Sequence, residues 1–212
     1  MRRIHCLTLA ITFLALAAAV PAGADTPIPP INATIPDHVV LVGRGPAGPD
    51  SAIGHVTVTI RDFANNPIEG SHVIFDFLAC TDMAPAADQR DPRLSVDCSW
   101  PHVTAVTDAN GIARLTVLGA GASGPATPPG AFKVYADGVL LGFPRLSVLE
   151  RDGVNGLTLA DLGFWAADLF SDLHPMRSDF DGNGFVGLAD LSIWAAAYFN
   201  GGNTVPIGAV CP

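Results

Sequence analysis

Between residues 38 and 149, apolar and polar residues alternate in seven short segments. Residues 55–60 read HVTVTI, and residues 112–118 read IARLTVL. Successive side chains of a β-strand point to opposite faces, so alternation with many β-branched residues predicts half-buried strands. The seven predicted strands are 39–42, 55–60, 71–77, 103–106, 112–118, 132–136 and 146–149. Turn sequences such as DFANNPIEG and DANG separate them, and short strands joined by such turns are typical of a β-sandwich.

From residue 150 onward the pattern changes to a repeat with a period of 29 residues. Residues 150–170, ERDGVNGLTLADLGFWAADLF, align without gaps with residues 179–199, DFDGNGFVGLADLSIWAAAYF. Each copy ends with apolar residues at helical spacing, which are Leu162, Trp165, Ala166, Leu169 and Phe170, then Leu191, Trp194, Ala195, Tyr198 and Phe199. Each copy is therefore predicted to be a loop followed by an amphipathic helix. Because neither helix can bury its apolar stripe alone, we expect the two to pair with the tryptophans inside.

The loop of the second copy, residues 179–190, carries oxygen-bearing side chains at regular positions. Positions 1, 3, 5 and 12 are Asp179, Asp181, Asn183 and Asp190. Position 6 is Gly184, where the chain must turn sharply, and position 7, Phe185, would contribute its backbone carbonyl. A calcium ion takes about six to eight oxygen ligands, and this is the ligand order of an EF-hand loop. The spacing therefore predicts a Ca²⁺ site.

The loop of the first copy, residues 150–161, has fewer of these groups. Glu150, Asp152 and Asp161 match positions 1, 3 and 12, but Val154 is at position 5 and Asn155 at position 6. Asn tolerates the left-handed backbone better than most residues. Two interpretations stay open: a weaker metal site formed by the three acids, or a structural relic that only mirrors the second loop.

A duplicated calcium loop and helix, with no helix entering the loop, resembles a type I dockerin domain, over about residues 150–200. The resemblance implies a Ca²⁺ cofactor, a two-helix EF-hand-type module, and attachment to a cohesin-like or other extracellular protein domain. It also implies a link to extracellular polysaccharide degradation. The partner-reading positions of that family, loop positions 10 and 11, are here Leu159, Ala160, Leu188 and Ala189.

A second resemblance covers about residues 38–149. The order VTVTIRDFANNPIEGSHVIFDF, TDANGIARLTVLGAG and FKVYADG is similar to bacterial immunoglobulin-like domains of the invasin and intimin type. The resemblance implies an immunoglobulin-like β-sandwich that acts as an extracellular spacer, adhesive or presenting module without catalysis. Residues 80–101 form an insertion that is long for this family.

Residues 1–24 have the order of a secretory signal peptide. Arg2 and Arg3 precede an apolar run that ends in Ala22, Gly23 and Ala24, and cleavage is expected near Ala24. The mature chain would then be secreted, either extracellular or periplasmic, with no membrane span. A proline-rich leader, residues 25–37, is expected to be extended, and residues 201–212 form a C-terminal tail.

Charge changes the picture of possible partners. The chain has 11 Lys+Arg against 20 Asp+Glu, a formal net charge of −9, and loss of residues 1–24 removes two arginines and no acid, giving −11. Nucleic acid is therefore not an expected partner. Eight acids against two arginines lie between residues 150 and 190, which suits a cation.

Three cysteines remain after residue 24: Cys80, Cys98 and Cys211. Cys80 and Cys98 flank the insertion, so in an exported protein we expect a disulfide between them. Two unrelated thiols are the alternative. Cys211 is left to be free, to pair between chains, or to compete for one of the other two.

No constellation of catalytic residues stands out. The histidines His38, His55, His72, His102 and His174 are scattered without metal-ligand spacing, and Asp76 is expected to point out of its strand. The sequence therefore predicts a non-catalytic protein. Two alternatives stay open: a carbohydrate-binding or adhesive accessory protein that binds polysaccharide through Trp100 or the loops between strands, and a hydrolase with no recognisable catalytic residues.

Overall fold

The computed structural model describes residues 32–153, 155–171 and 175–212, and the chain there is mainly β with a few short helices. The predicted signal peptide, residues 25–31 of the predicted leader, Val154 and His174 lie outside the described residues. The strands are β1 His38–Leu41, β2 Arg44–Gly45, β3 Gly48–Pro49, β4 His55–Thr59, β5 His72–Asp76, β6 Met83–Pro85, β7 Ser95–Asp97, β8 His102–Val106, β9 Ile112–Thr116, β10 Gly119–Gly121, β11 Lys133–Ala136, β12 Val139–Gly142 and β13 Arg145–Val148. The helices are α1 Ser51–Gly54, α2 Leu159–Leu169 and α3 Leu188–Phe199, with a 3₁₀ turn at Met176–Ser178.

All seven predicted strands are confirmed, as β1, β4, β5, β8, β9, β11 and β13, and their ends agree within two residues. The strands that the sequence pattern missed are β2, β3, β6, β7, β10 and β12. Five of these have two or three residues, too few for alternation to be recognised, and β12, which reads VLLG, has no alternation of apolar and polar residues. Both predicted helices are present as α2 and α3.

The largest sheet has five antiparallel strands in the order β12-β11-β5-β8-β7. Two-stranded pairs β4-β9, β6-β10 and β2-β3 are antiparallel, whereas β1 and β13 pair in parallel. The last residues of the leader join this arrangement, because Thr34 and Thr59 exchange two backbone hydrogen bonds of 2.9 Å. Since β13 leads directly into the first repeat, its pairing with β1 fixes where that repeat begins.

One hydrophobic core lies between the five-stranded sheet and the β4-β9 and β1-β13 pairs. Inward-facing residues of all these strands belong to it. Phe75, Phe77 and Phe132 are almost fully buried, with ring centroids 5.8 Å apart for Phe75 and Phe132 and 4.9 Å for Phe77 and Phe132. Asp76 lies between two buried phenylalanines and is only half-buried, as strand alternation predicts.

A second core joins the two parts of the chain. We call residues 38–149 the strand region and residues 150–200 the repeat pair. β1 is buried on both faces: Val39 and Leu41 enter the first core, while Val40, and Val42 just after the strand, enter the second. The second core also contains strand-region residues Leu118 and Leu149 and repeat-pair residues Leu157, Trp165, Val186 and Trp194. The tryptophans are buried as predicted, but the core around them is shared with the strands.

The disulfide prediction was wrong. The structure pairs Cys98 with Cys211, with Cα atoms 4.9 Å apart and a sequence separation of 113 residues, and leaves Cys80 as a free thiol. The C-terminal tail brings Cys211 into position, because Cys211 N donates to Pro85 O at 2.9 Å and Ala87 N donates to Ala209 O at 2.8 Å. Proximity in sequence favoured Cys80, whereas the folded tail decides which thiol reaches Cys98.

Among the described residues, no helix combines the length and the apolar character needed to cross a membrane.

Candidate metal centre

The second loop, residues 179–190, begins after the 3₁₀ turn and ends inside the first turn of α3. Asp190 is fully buried and ties these ends together. Its Oδ1 accepts hydrogen bonds from Phe180 N at 2.6 Å and Asp181 N at 3.1 Å, while Oδ2 accepts from Gly187 N at 2.7 Å. One carboxylate therefore sets both the entry of the loop and the start of the helix.

The other predicted side-chain ligands of this loop, Asp179, Asp181 and Asn183, are linked by hydrogen bonds within it. Asp179 Oδ1 accepts from Asn183 N at 3.0 Å, and Asp179 Oδ2 accepts from Gly184 N at 2.8 Å. Asp181 Oδ2 accepts from the Asn183 side-chain amide at 2.8 Å. Gly184 has a φ of 98°, so the glycine at position 6 serves the sharp turn that the sequence predicted.

Carboxylate oxygens of Asp179, Asp181 and Asp190 lie within 4.8 Å of one another, so this cluster offers a metal ion only oxygen ligands. Burial raises the pKa of the Asp179 carboxyl above its usual value, and the charges of Asp181 and Asp190 raise it further, against the hydrogen bond from Gly184 N. Three acids this close repel one another unless a cation neutralises them, and oxygen donors suit a hard ion such as Ca²⁺. The position of the Phe185 backbone carbonyl as a ligand stays a prediction.

The first loop repeats this geometry. Glu150, Asp152 and Asp161 also bring carboxylate oxygens within 4.8 Å of one another. Asp161 Oδ1 accepts from Arg151 N at 2.5 Å and Oδ2 from Thr158 N at 2.7 Å, as Asp190 does from Phe180 and Gly187. Asn155 adopts a φ of 67°, so it takes the left-handed conformation expected at position 6. The three acids predicted from the sequence are thus brought together.

Two basic residues of the strand region contact the second loop, and no local sequence signal identifies them. The Arg145 guanidinium on β13 donates to Gly182 O, and its NH1 lies 3.8 Å from Asp179 Oδ2. His38 on β1 lies against Gly182, where an added Cβ would be 2.7 Å from the His38 side chain. Burial, together with the smaller effect of the Arg145 charge, lowers the pKa of His38 to about 4, against the opposite effect of Asp181.

A buried ion-pair network connects the repeat pair to the strand region on another side. Arg177 NH1 lies 2.9 Å from Asp82 Oδ2, and Arg177 NH2 lies 2.6 Å from Asp168 Oδ1. Both aspartates are almost fully buried, and Ser178 Oγ donates to Asp168 Oδ2 at 2.6 Å. The hydrogen bonds to Asp168 raise the pKa of Arg177, against the effect of its burial, so its charge is firmly retained.

The repeat pair also exposes apolar side chains at matching positions of its two copies. Leu159 is 65% exposed and Leu188 77% exposed, and both occupy loop position 10. Phe170 and Phe199, at the ends of α2 and α3, are exposed as well. Both pairs lie outside the two hydrophobic cores.

A scan against protein-family models found no match to this chain, and searches of curated proteins and of solved structures also found no significant match.

Proposed function

We propose that this chain is a secreted, non-catalytic attachment protein in which a calcium-stabilised, dockerin-like repeat pair is docked on an immunoglobulin-like β-sandwich. The observation that carries the proposal is the duplicated acidic centre. In each copy a buried aspartate at loop position 12 accepts backbone hydrogen bonds from the loop entry and from the residue before the helix. Because the same local geometry occurs twice, a metal-binding site explains these acids better than a chance cluster does.

Calcium would act on folding rather than on chemistry. Without a cation, burial and mutual repulsion of Asp179, Asp181 and Asp190 oppose closure of the loop. With the ion bound, the loop closes, α3 begins at a fixed residue, and Trp194 packs into the second core. Weak affinity, with a Kd on the order of 10⁻⁴ M, is enough where extracellular calcium is high.

Attachment would use the exposed apolar positions of the repeat pair. Leu159 and Leu188 lie within the two acidic loops, at position 10 of each, and present apolar surface to solvent. Their exposure supports a protein partner of the extracellular, cohesin-like kind, because large apolar side chains on a surface are typical of interfaces. The disulfide between Cys98 and Cys211 is in keeping with an oxidising compartment outside the cytoplasm.

The test is a calorimetric titration of Ca²⁺ into the chelator-treated chain, with tryptophan fluorescence followed in parallel. Two ions per chain would support both loops, and one ion, lost in Asp181→Ala, would support the second loop alone. The variant Glu69→Ala, which removes an exposed acid that belongs to neither acidic cluster, serves as the matched control. Absence of heat and of any fluorescence change would refute the calcium assignment.

The attachment role needs a separate measurement. A purified cohesin domain, immobilised on a sensor, should retain the calcium-loaded chain, and the double variant Leu159→Asp/Leu188→Asp should lose retention while keeping its calcium stoichiometry. Binding that is the same for the double variant would refute the assigned surface, and no binding of the wild-type chain would refute a cohesin-type partner.

A further inference from the structure

We propose that the outer face of the five-stranded sheet carries a binding site for a neutral carbohydrate chain, next to Trp100. A cleft of about 310 Å³ lies there, lined by Ile74, Asp76, Leu78, Trp100, His102 and Tyr135. The cleft contains none of the acids of the two loops, so the inference goes beyond the attachment function. Its volume is at the lower end of the range of about 300 to 1,000 Å³ that small-ligand pockets occupy.

Strand register assembles the polar and aromatic lining from three strands. Asp76 on β5 lies directly opposite His102 on β8, and Ile74 on β5 lies opposite Tyr135 on β11. Opposed residues have Cβ atoms about 4.5 to 5.5 Å apart, so these side chains are neighbours on one face. The alternate residues, such as Phe75, point into the first core, which leaves this face to solvent.

The aromatic part of the lining is available to a ligand. Trp100 is 64% exposed, whereas the chain's other two tryptophans are buried in the second core. The apolar face of a sugar ring packs against an aromatic ring, while its hydroxyl groups point outward from the edge. Trp100 and the half-buried Tyr135 provide such faces in the lining of the cleft.

Two polar groups in the lining, His102 and Asp76, can form hydrogen bonds with sugar hydroxyls. His102 Nδ1 lies 2.6 Å from Trp100 O; a carbonyl only accepts, so Nδ1 is the donor and Nε2 of the neutral ring is an acceptor. Asp76 Oδ1 accepts from Leu78 N at 2.9 Å, which holds the carboxylate in place and leaves Oδ2 to accept from a ligand. A purely apolar ligand would leave both acceptors without donors, at a cost in affinity.

The segment that presents Trp100 is held on several sides. The disulfide fixes Cys98, two residues before the tryptophan, and Ser99 N donates to Asp97 Oδ1 at 2.8 Å. Phe77 N donates to Pro101 O at 2.8 Å. An exposed aromatic side chain on a constrained turn loses less conformational entropy on binding than one on a mobile loop. This rigidity favours a ligand site over an incidental exposed tryptophan.

The test is calorimetric titration of the oxidised chain, in calcium, with cellohexaose, xylohexaose, mannohexaose and maltohexaose up to 10 mM. We expect at least one of these probes to bind. Trp100→Ala should weaken that binding by about tenfold or more, as expected for an aromatic residue central to a small site, and Asp76→Asn should weaken it less. The matched control is Phe63→Ala, which removes an aromatic side chain that is 70% exposed but lies outside the cleft.

Thermal unfolding of each variant separates loss of binding from loss of fold, and Trp100→Ala should unfold as the wild type does because its side chain belongs to neither core. Asp181→Ala should bind the sugar as tightly as the wild type. The carbohydrate proposal can therefore be tested even if the calcium proposal fails. The proposal is overturned if no probe binds the wild-type chain, if Trp100→Ala binds as tightly as wild type, or if detergent micelles bind at the cleft in place of the sugars.

Discussion

At the residue scale, small differences in backbone geometry decide which positions accept a side chain. Gly182 in the second loop has a φ of 71° and lies against His38, whereas Gly163 in the middle of α2 has open space around it. At Gly182 a side chain would be strained and crowded, so the position requires glycine. At Gly163 there is room for a side chain, and glycine only makes the helix less stable there.

Gly182→Ala is expected to lower the free energy of unfolding by about 1 to 3 kcal/mol, because the new Cβ adopts a strained φ and would lie 2.7 Å from His38. Gly163→Ala is expected to raise it by about 0.5 to 1 kcal/mol, since alanine restricts the unfolded chain and favours the helix. Urea unfolding of both variants in calcium measures the two effects. Equal effects of the two substitutions would contradict the loop geometry.

Cys80 provides a pH-dependent prediction. Burial, with added repulsion from Asp76 and Asp82, raises the pKa of this thiol to about 12 against the weaker effect of Lys133. Because the thiolate is the reactive form and appears only as pH approaches that value, the native chain should resist iodoacetamide at pH 8. After unfolding without reductant, mass spectrometry of the chain lacking residues 1–24 should find one alkylated cysteine, Cys80. Labelling of Cys98 or Cys211 in that sample would refute the disulfide pairing.

At the element scale, each loop and its helix form one unit through the aspartate at position 12. This unit was predictable, because the spacing of acids and the apolar stripes are local properties of residues 150–170 and 179–199. From its position in the loop, Asp190 was predicted only as a ligand. The structure adds a second role, since the same carboxylate accepts from three backbone N–H groups.

Those two roles can be separated by comparing Asp190→Ala with Asp181→Ala. In chelator, Asp190→Ala should lower the free energy of unfolding by about 2 to 4 kcal/mol, because backbone donors of Phe180 and Gly187 lose their acceptor in a buried site. Asp181 is exposed, so Asp181→Ala should have little effect on stability in chelator but should remove the gain in stability that calcium provides. Denaturant unfolding of each variant with and without calcium gives both quantities. Equal losses in chelator would show that Asp190 has no structural role of its own.

At the scale of the whole molecule, a shared core and a buried ion-pair network connect the strand region to the repeat pair, and a disulfide connects the C-terminal tail to the strand region. The disulfide spans 113 residues, and by the chain-entropy estimate a loop of that length stabilises a fold by about 4 to 5 kcal/mol. The repeat pair therefore packs on the strand region of its own chain. We therefore expect calcium binding in the second loop to stabilise the strand region as well, because Arg145 and His38 contact that loop.

Arg177 tests this connection. Arg177→Met should lower the free energy of unfolding by about 3 to 5 kcal/mol, because it leaves the buried carboxylates of Asp82 and Asp168 without their cation. Arg93→Met is the matched control: its ion pair with Asp91 is on the surface, so a change of less than about 1 kcal/mol is expected. Thermal unfolding with calcium present compares the two. A loss for Arg177→Met as small as for Arg93→Met would mean that the network does not contribute to docking.

Local sequence patterns were enough to predict seven strands, two loop-and-helix units, the six acids that gather in two clusters, and the burial of Trp165 and Trp194. Each depends on residues close together in the chain, where periodicity and ligand spacing act directly. Long-range packing set the partner of Cys98, the contacts of Arg145 and Arg177, the surroundings of Trp100, and the core shared by strands and helices. These features join residues that are distant in the chain, and no local pattern encodes which distant surfaces will meet when apolar faces are buried together.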